Sequence, residues 1–226
     1  MSNALELEQI PYKFMSNWIW TYTWATKPNY SLATVGTVIN ILDVGGEAGS
    51  FWKATSVGWV PLNGPVKLAS QWGTVLAPVA SVENAPAKFS VPVGAGSLAI
   101  PAGMIIPGHS VLSIRAALHK RGASLCTFRI YLGTSETSSD APVYALNVTA
   151  DLNDIYPSVE IGAVSSSSLT STYWMPAGSS GSPSAITAVT ANINTGAEMH
   201  ISFIAINMEA SNGLDLIGYS VVLESL

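Results

Sequence analysis

The carboxylates Asp140, Asp151, Asp154, Glu160, Asp215 and Glu224 are of a type suited to acid–base chemistry, and they are spread along the chain. A glycosidase needs two such groups about 5–9.5 Å apart across a cleft, and no spacing here pairs any two of them. Asp151-Leu152-Asn153-Asp154 offers oxygen ligands of the kind calcium takes, but it lacks the other positions of a calcium loop and reads as a solvated turn. His109, His119 and His200 stand apart from one another and from the single cysteine, Cys126, without a metal-ligand spacing such as H-x-x-x-H. No serine sits in a G-x-S-x-G elbow. Gly94-Ala95-Gly96 lacks the flanking helix and following glycine of a phosphate loop. The expectation is a non-catalytic protein that uses no metal and no cofactor.

Two aromatic groups suit binding instead. Trp18, Trp20, Tyr22 and Trp24 alternate with Asn17, Ile19, Thr21 and Thr23, which gives a strand one aromatic face. Six of the seven tryptophans fall within the first 72 residues, so this region forms either a compact aromatic core or a docking face. Trp18, Trp20 and Trp24 are the candidate docking residues. Further on, Thr172-Tyr173-Trp174-Met175-Pro176 lies between the polar runs 165–168 and 177–184, which read as loops. Loops on a rigid scaffold are the usual place for recognition. Tyr173 and Trp174 are therefore either structural or contacts for a ligand.

The elements that would carry these residues are strands. In Ser110–His119, Leu112, Ile114, Ala116 and Leu118 alternate with Ser113, Arg115, Ala117 and His119. In Leu125–Leu132, Cys126, Phe128, Ile130 and Leu132 alternate with Thr127, Arg129 and Tyr131. A short polar link containing Gly122 joins the runs, so they read as an antiparallel hairpin whose second face carries Arg115, His119, Arg129 and Tyr131. Met199–Asn207 is apolar almost throughout, as a strand covered on both faces should be. A neighbouring subunit or a covering segment would have to supply the second cover. Pro78, Pro86, Pro92, Gly94 and Gly96 mark a connector. The expected fold is all-β: a small Trp-rich module over 1–79, then an antiparallel jelly-roll-like β-sandwich over 80–226.

Only 10% of the residues are charged, against about 25% in ordinary soluble domains, and the mean hydropathy is +0.36. The exterior is then either small and neutral or shielded by other copies, and an obligate oligomer is expected. A net charge of -5 with nine basic residues argues against nucleic acid. No apolar run reaches the roughly 18–20 residues of a membrane span. The acidic start of the chain lacks the pattern of a secretion signal, which points to synthesis in the cytoplasm.

A resemblance adds a setting. Ile41-Leu42-Asp43-Val44-Gly45, then Ser50-Phe51-Trp52-Lys53, then Gly58-Trp59-Val60-Pro61-Leu62-Asn63-Gly64 resembles a small β module of bacteriophage tail-fibre and baseplate-associated proteins. Ile100–Gly108 running into Val111–Ala116 and Phe128–Gly133, with a closing strand Tyr219–Glu224, is similar to the sandwich that follows in such proteins. The resemblance implies a virion tail protein made in the host cytoplasm, a homotrimer in contact with other tail proteins, and attachment to a host-surface glycan. A capsid decoration protein, a free-standing lectin-like protein and a glycan-processing enzyme are the competing expectations.

Overall fold

The computed structural model describes residues 19–44, 49–62, 64–76, 87–89, 97–148, 154–174, 189–206 and 213–226. A four-stranded sheet comes first, with β1 (Trp20–Tyr22), β2 (Val38–Ile41), β3 (Ser50–Ala54) and β4 (Trp59–Pro61) side by side in that order. β2, β3 and β4 are antiparallel, whereas β1 lies parallel to β2 with Trp20 opposite Ile39. Alternation sends Ile39, Ile41, Trp52, Ala54 and Trp59 inward, where all are buried.

Eleven further strands build the sandwich: β5 (Val66–Leu76), β6 (Ala87–Lys88), β7 (Leu98–Ile100), β8 (Ser110–Arg121), β9 (Cys126–Gly133), β10 (Ala141–Val148), β11 (Asp154–Ile155), β12 (Ser158–Ser165), β13 (Ser168–Trp174), β14 (Met199–Ile206) and β15 (Gly213–Ser225). One sheet runs β13-β12-β8-β15-β5, with β11 also on β8. The other runs β10-β9-β14-β6, with β7 also on β14. β8 pairs with β15 in one layer and β9 with β14 in the other, so the pairs nest as in a jelly roll. The chain is therefore all-β, a small sheet followed by an antiparallel sandwich.

The core between the layers is aromatic at its centre. Tyr219 of β15 meets Phe203 of β14 at 5.5 Å, and Phe203 stacks on Phe128 of β9 at 6.1 Å. Phe89 and Tyr144 each close on Phe128 edge-on at 6.3 Å. Leu112, Ile114, Leu118, Val159, Ile161, Val221 and Leu223 of the first sheet are fully or almost fully buried around this column.

Three sequence expectations change. β8 and β9 are not a hairpin: each lies in a different sheet, and the link 122–125 carries the chain across the core, turning at Gly122 with φ +75. β8 has β11, β12 and β15 as neighbours, while β9 has β10 and β14, so the faces were read correctly and the partners were not. Arg115 and His119 consequently lie on a different sheet from Arg129 and Tyr131. Secondly, the second cover of β14 comes from its own chain, since Ile201, Ser202, Phe203, Ile204 and Ala205 are all buried within the monomer. Thirdly, β5, placed within the module by a boundary at 79, pairs with β15 of the sandwich. By strand pairing the division falls between β4 and β5. Val189 makes an isolated antiparallel bridge to Leu169.

Phe203→Ala should cost about 3–5 kcal/mol of stability in urea denaturation, because the ring is fully buried and touches both layers. Burial also holds the Tyr219 phenol above its ordinary value of 10.0. The unfolded chain then ionises first, so this contribution to stability is complete below pH 10.0 and is lost as pH rises beyond it. Tyr219→Phe should flatten the decline in stability measured above that pH.

Candidate functional site

The N-terminal aromatics divide into rivets and surface. Trp24 is only 5% exposed. It meets Trp52 edge-on at 4.8 Å, and its Nε1 donates to the Ala102 carbonyl of the sandwich at 3.0 Å. Its backbone N–H donates to Asp43 Oδ1 at 2.7 Å. Lys27 Nζ stands 3.9 Å over the Trp24 ring and donates to the Trp24 carbonyl at 3.0 Å. Burial lowers the Lys27 pKa, and the nearby Asp43 carboxylate partly opposes that shift. Trp59 Nε1 donates to the Pro28 carbonyl at 2.9 Å, and Gly58 lets Ile106 come so close that a β-carbon there would lie 2.6 Å from its Cδ1. Trp24 is thus a core residue that fastens the small sheet to the sandwich. Of the two readings that its alternation with Trp20 and Tyr22 allowed, core or docking face, Trp24 takes the first: Trp20 and Tyr22 pair with the inward Ile39 and Ile41, so the aromatic face of β1 is the side turned toward the core. Trp20, on the edge strand, is half exposed, and Trp18 lies outside the described residues.

The outward face of the small sheet is apolar for another reason. Phe51 pairs with Asn40, and Lys53 pairs with Val38 and Val60, so all five face away from the core. Leu42 and Leu62 follow directly on the inward Ile41 and Pro61. Phe51, Leu42 and Leu62 are all exposed, with Lys53 among them. These are the surface residues the sequence pattern missed, because the eye goes to tryptophan and these are phenylalanine and leucine at outward positions.

Between the small sheet and the sandwich lies an open cleft of about 440 Å³. Lys27, Pro28, Tyr30 and Trp59 line one part of it and Ile106 and Thr195 another. No carboxylate or histidine lines it among the described residues, so it offers shape and hydrogen bonds rather than an acid–base pair.

The candidate chemical residues are placed as follows. His119 Nδ1 lies 2.8 Å from Asp154 Oδ1, and Arg121 Nε lies 2.8 Å from Asp215 Oδ2. Glu224 accepts from the Ser113 hydroxyl, and buried Asp140 accepts from the Ser135 N–H. His200 Nε2 sits between Glu136 and Glu198 at 3.1 and 3.4 Å, a grouping invisible in the sequence because the loop after β9 supplies one carboxylate. Among the described residues no three potential ligands gather to hold a metal. Cys126 is buried. Asp151 lies outside the described residues, and Asp154 belongs to β11. Tyr173 and Trp174 are on the edge strand β13, paired with Val159 and Ser158, and not in a loop. Met175 and residues 177–184 lie outside the described residues.

The fold places the chain among all-β proteins whose sandwich is preceded by a small mixed sheet. No family model and no curated protein sequence matches it. Similar solved structures include an engineered GH43 glycoside hydrolase displaying endo-xylanase and exo-arabinofuranosidase activity, with a TM-score of 0.36 at 9% identity over 78% of this chain. The match spans 38% of that enzyme. Lectin II from Ulex europaeus (TM-score 0.34, 12% identity, 74% of this chain and 89% of that one) and peanut lectin (0.32, 9%, 74% and 88%) are also similar. These distant likenesses assign neither a ligand nor an activity.

Trp24→Ala should destabilise the protein by about 3–5 kcal/mol, as for other buried tryptophans. Trp20→Ala should stay within about 0.5 kcal/mol. Paired urea titrations check both, and equal losses would contradict the division of these tryptophans into core and surface.

Proposed function

We propose that the protein is a structural component of a bacteriophage tail, of the fibre, tip or baseplate type, which attaches the particle to its host by non-catalytic binding. The observation that carries the reading is the outward face of the small sheet. Phe51, Leu42 and Leu62 are exposed there in a chain with few charges to keep such a face in water. Contiguous exposed apolar side chains on a folded domain mark protein–protein contact. We assign virion docking to this face rather than to Trp24, and recognition of the host to the sandwich. The order of strands and turns from Ile41 to Gly64 supports the tail setting by resemblance alone.

The same scarcity of charge supports self-association, and the resemblance favours a homotrimer. Three linked copies turn weak single contacts into avidity larger by about 10²–10⁴, which suits capture of a repeated cell-surface glycan.

Antibody raised against the purified chain should decorate the tails of particles produced by cells that express it, as seen by electron microscopy. Decoration of the capsid shell would favour an architectural role, and no decoration would remove the virion assignment. Phe51→Glu combined with Leu62→Glu should leave the melting temperature within a few degrees, since both side chains are exposed. The same pair should abolish incorporation into particles.

A further inference from the structure

We infer that the outer face of the six-stranded sheet is a shelf for a pyranose ring of a neutral polysaccharide, with Trp72 as its stacking surface. The inference rests on the host-attachment reading and gives that reading a site.

Strand register lays out three rows across this face. In the middle row Trp72 of β5 lies opposite Gly218 of β15, which lies opposite Ala117 of β8. A β-carbon at position 218 would fall inside the Trp72 indole, so the ring leans across the glycine and is held there. Ala117, next in the row, is also buried although it points outward. The indole itself remains 55% exposed, more than that of Trp20, Trp24, Trp52 or Trp59. It is therefore fixed from beneath and open above.

The flanking rows supply hydrogen bonds. On one side Ser70, Ser220, Arg115 and Ser158 lie abreast, with Ser70 and Arg115 exposed. On the other, Asp215, His119 and Asp154 lie abreast, with Arg121 bound to Asp215. A pyranose has one face of C–H bonds, which packs on an indole, and a rim of hydroxyls, which need donors and acceptors. Serine hydroxyls, a guanidinium and carboxylates provide both. The chain's net charge of -5, with nine basic residues, disfavours a phosphate backbone, so a base stacked from a nucleic acid fits this face poorly. Cover for Gly218 alone does not require so large an exposed ring, since a smaller apolar side chain would fill the same space.

The test uses the full chain on an array of bacterial surface polysaccharides, with free monosaccharides as competitors. Wild type should be retained on one or more of them, and Trp72→Ala should weaken retention by about tenfold or more. Trp72→Phe, which keeps a ring over Gly218, should restore most of the binding, and it guards against loss of fold in the alanine variant. Undiminished retention of Trp72→Ala overturns the shelf. Tail decoration by antibody without saccharide retention by wild type also overturns it and leaves the tail assignment standing. Retention lost in Trp72→Ala, with no decoration of particles, keeps the shelf and removes the tail assignment.

Discussion

The contact between Phe203 and Tyr219 is the interaction on which the rest of the molecule depends. It is where the two layers of the sandwich touch through aromatic rings, and through Phe128 it draws in Phe89 and Tyr144. Aromatic pairs of this kind add to the hydrophobic gain because edges and faces carry opposite partial charge. The same buried cluster continues without a break into Trp24, Trp52 and Trp59 of the small sheet. The outward positions of both sheets, on which docking and recognition are proposed, are therefore displayed by a single packed body.

The low charge content takes a different meaning once the strands are placed. Met199–Ile206 is apolar on both faces, yet its second face is closed within its own chain. That strand leaves no seam for a neighbour. Exposed apolar side chains lie elsewhere, among them Phe51, Leu42 and Leu62 of the small sheet, which have no cover among the described residues. Among the described residues most charges are tied to one another or to backbone. His119 holds Asp154, Arg121 holds Asp215, and the buried Lys120 ammonium donates to the carbonyls of Arg121 and Gly122.

Alternation in the sequence located β1, β8 and β9, and in β8 and β9 it told core from exterior. Leu112, Ile114, Ala116 and Leu118 are inward and buried, and Arg115 is outward and exposed, as their period of two requires. Alternation says nothing of which strand lies alongside which. A four-residue link looks the same whether it closes a hairpin or crosses a core, and so β8 and β9 were joined wrongly. Alternation put Trp20, Tyr22 and Trp24 on one face but left open whether that face is covered: Trp24 is buried against Trp52, while Trp20, on the edge strand, stays half exposed. The grouping of His200 with Glu136 and Glu198, and the rows around Trp72, arise from residues up to 150 positions apart (Ser70 and Ser220) brought together by register. Local pattern cannot reach that far.

β15 lies inside its sheet, between β8 and the edge strand β5, whose residues paired with it lie about a hundred and a hundred and fifty residues upstream. Closing loops of that size is entropically slow, and folding rates fall as contacts become less local. Until β15 inserts, β5 and one side of β8 wait with unpaired backbone, open to pairing with other nascent chains. Slow maturation and a demand for chaperone protection during synthesis follow from where that one strand sits.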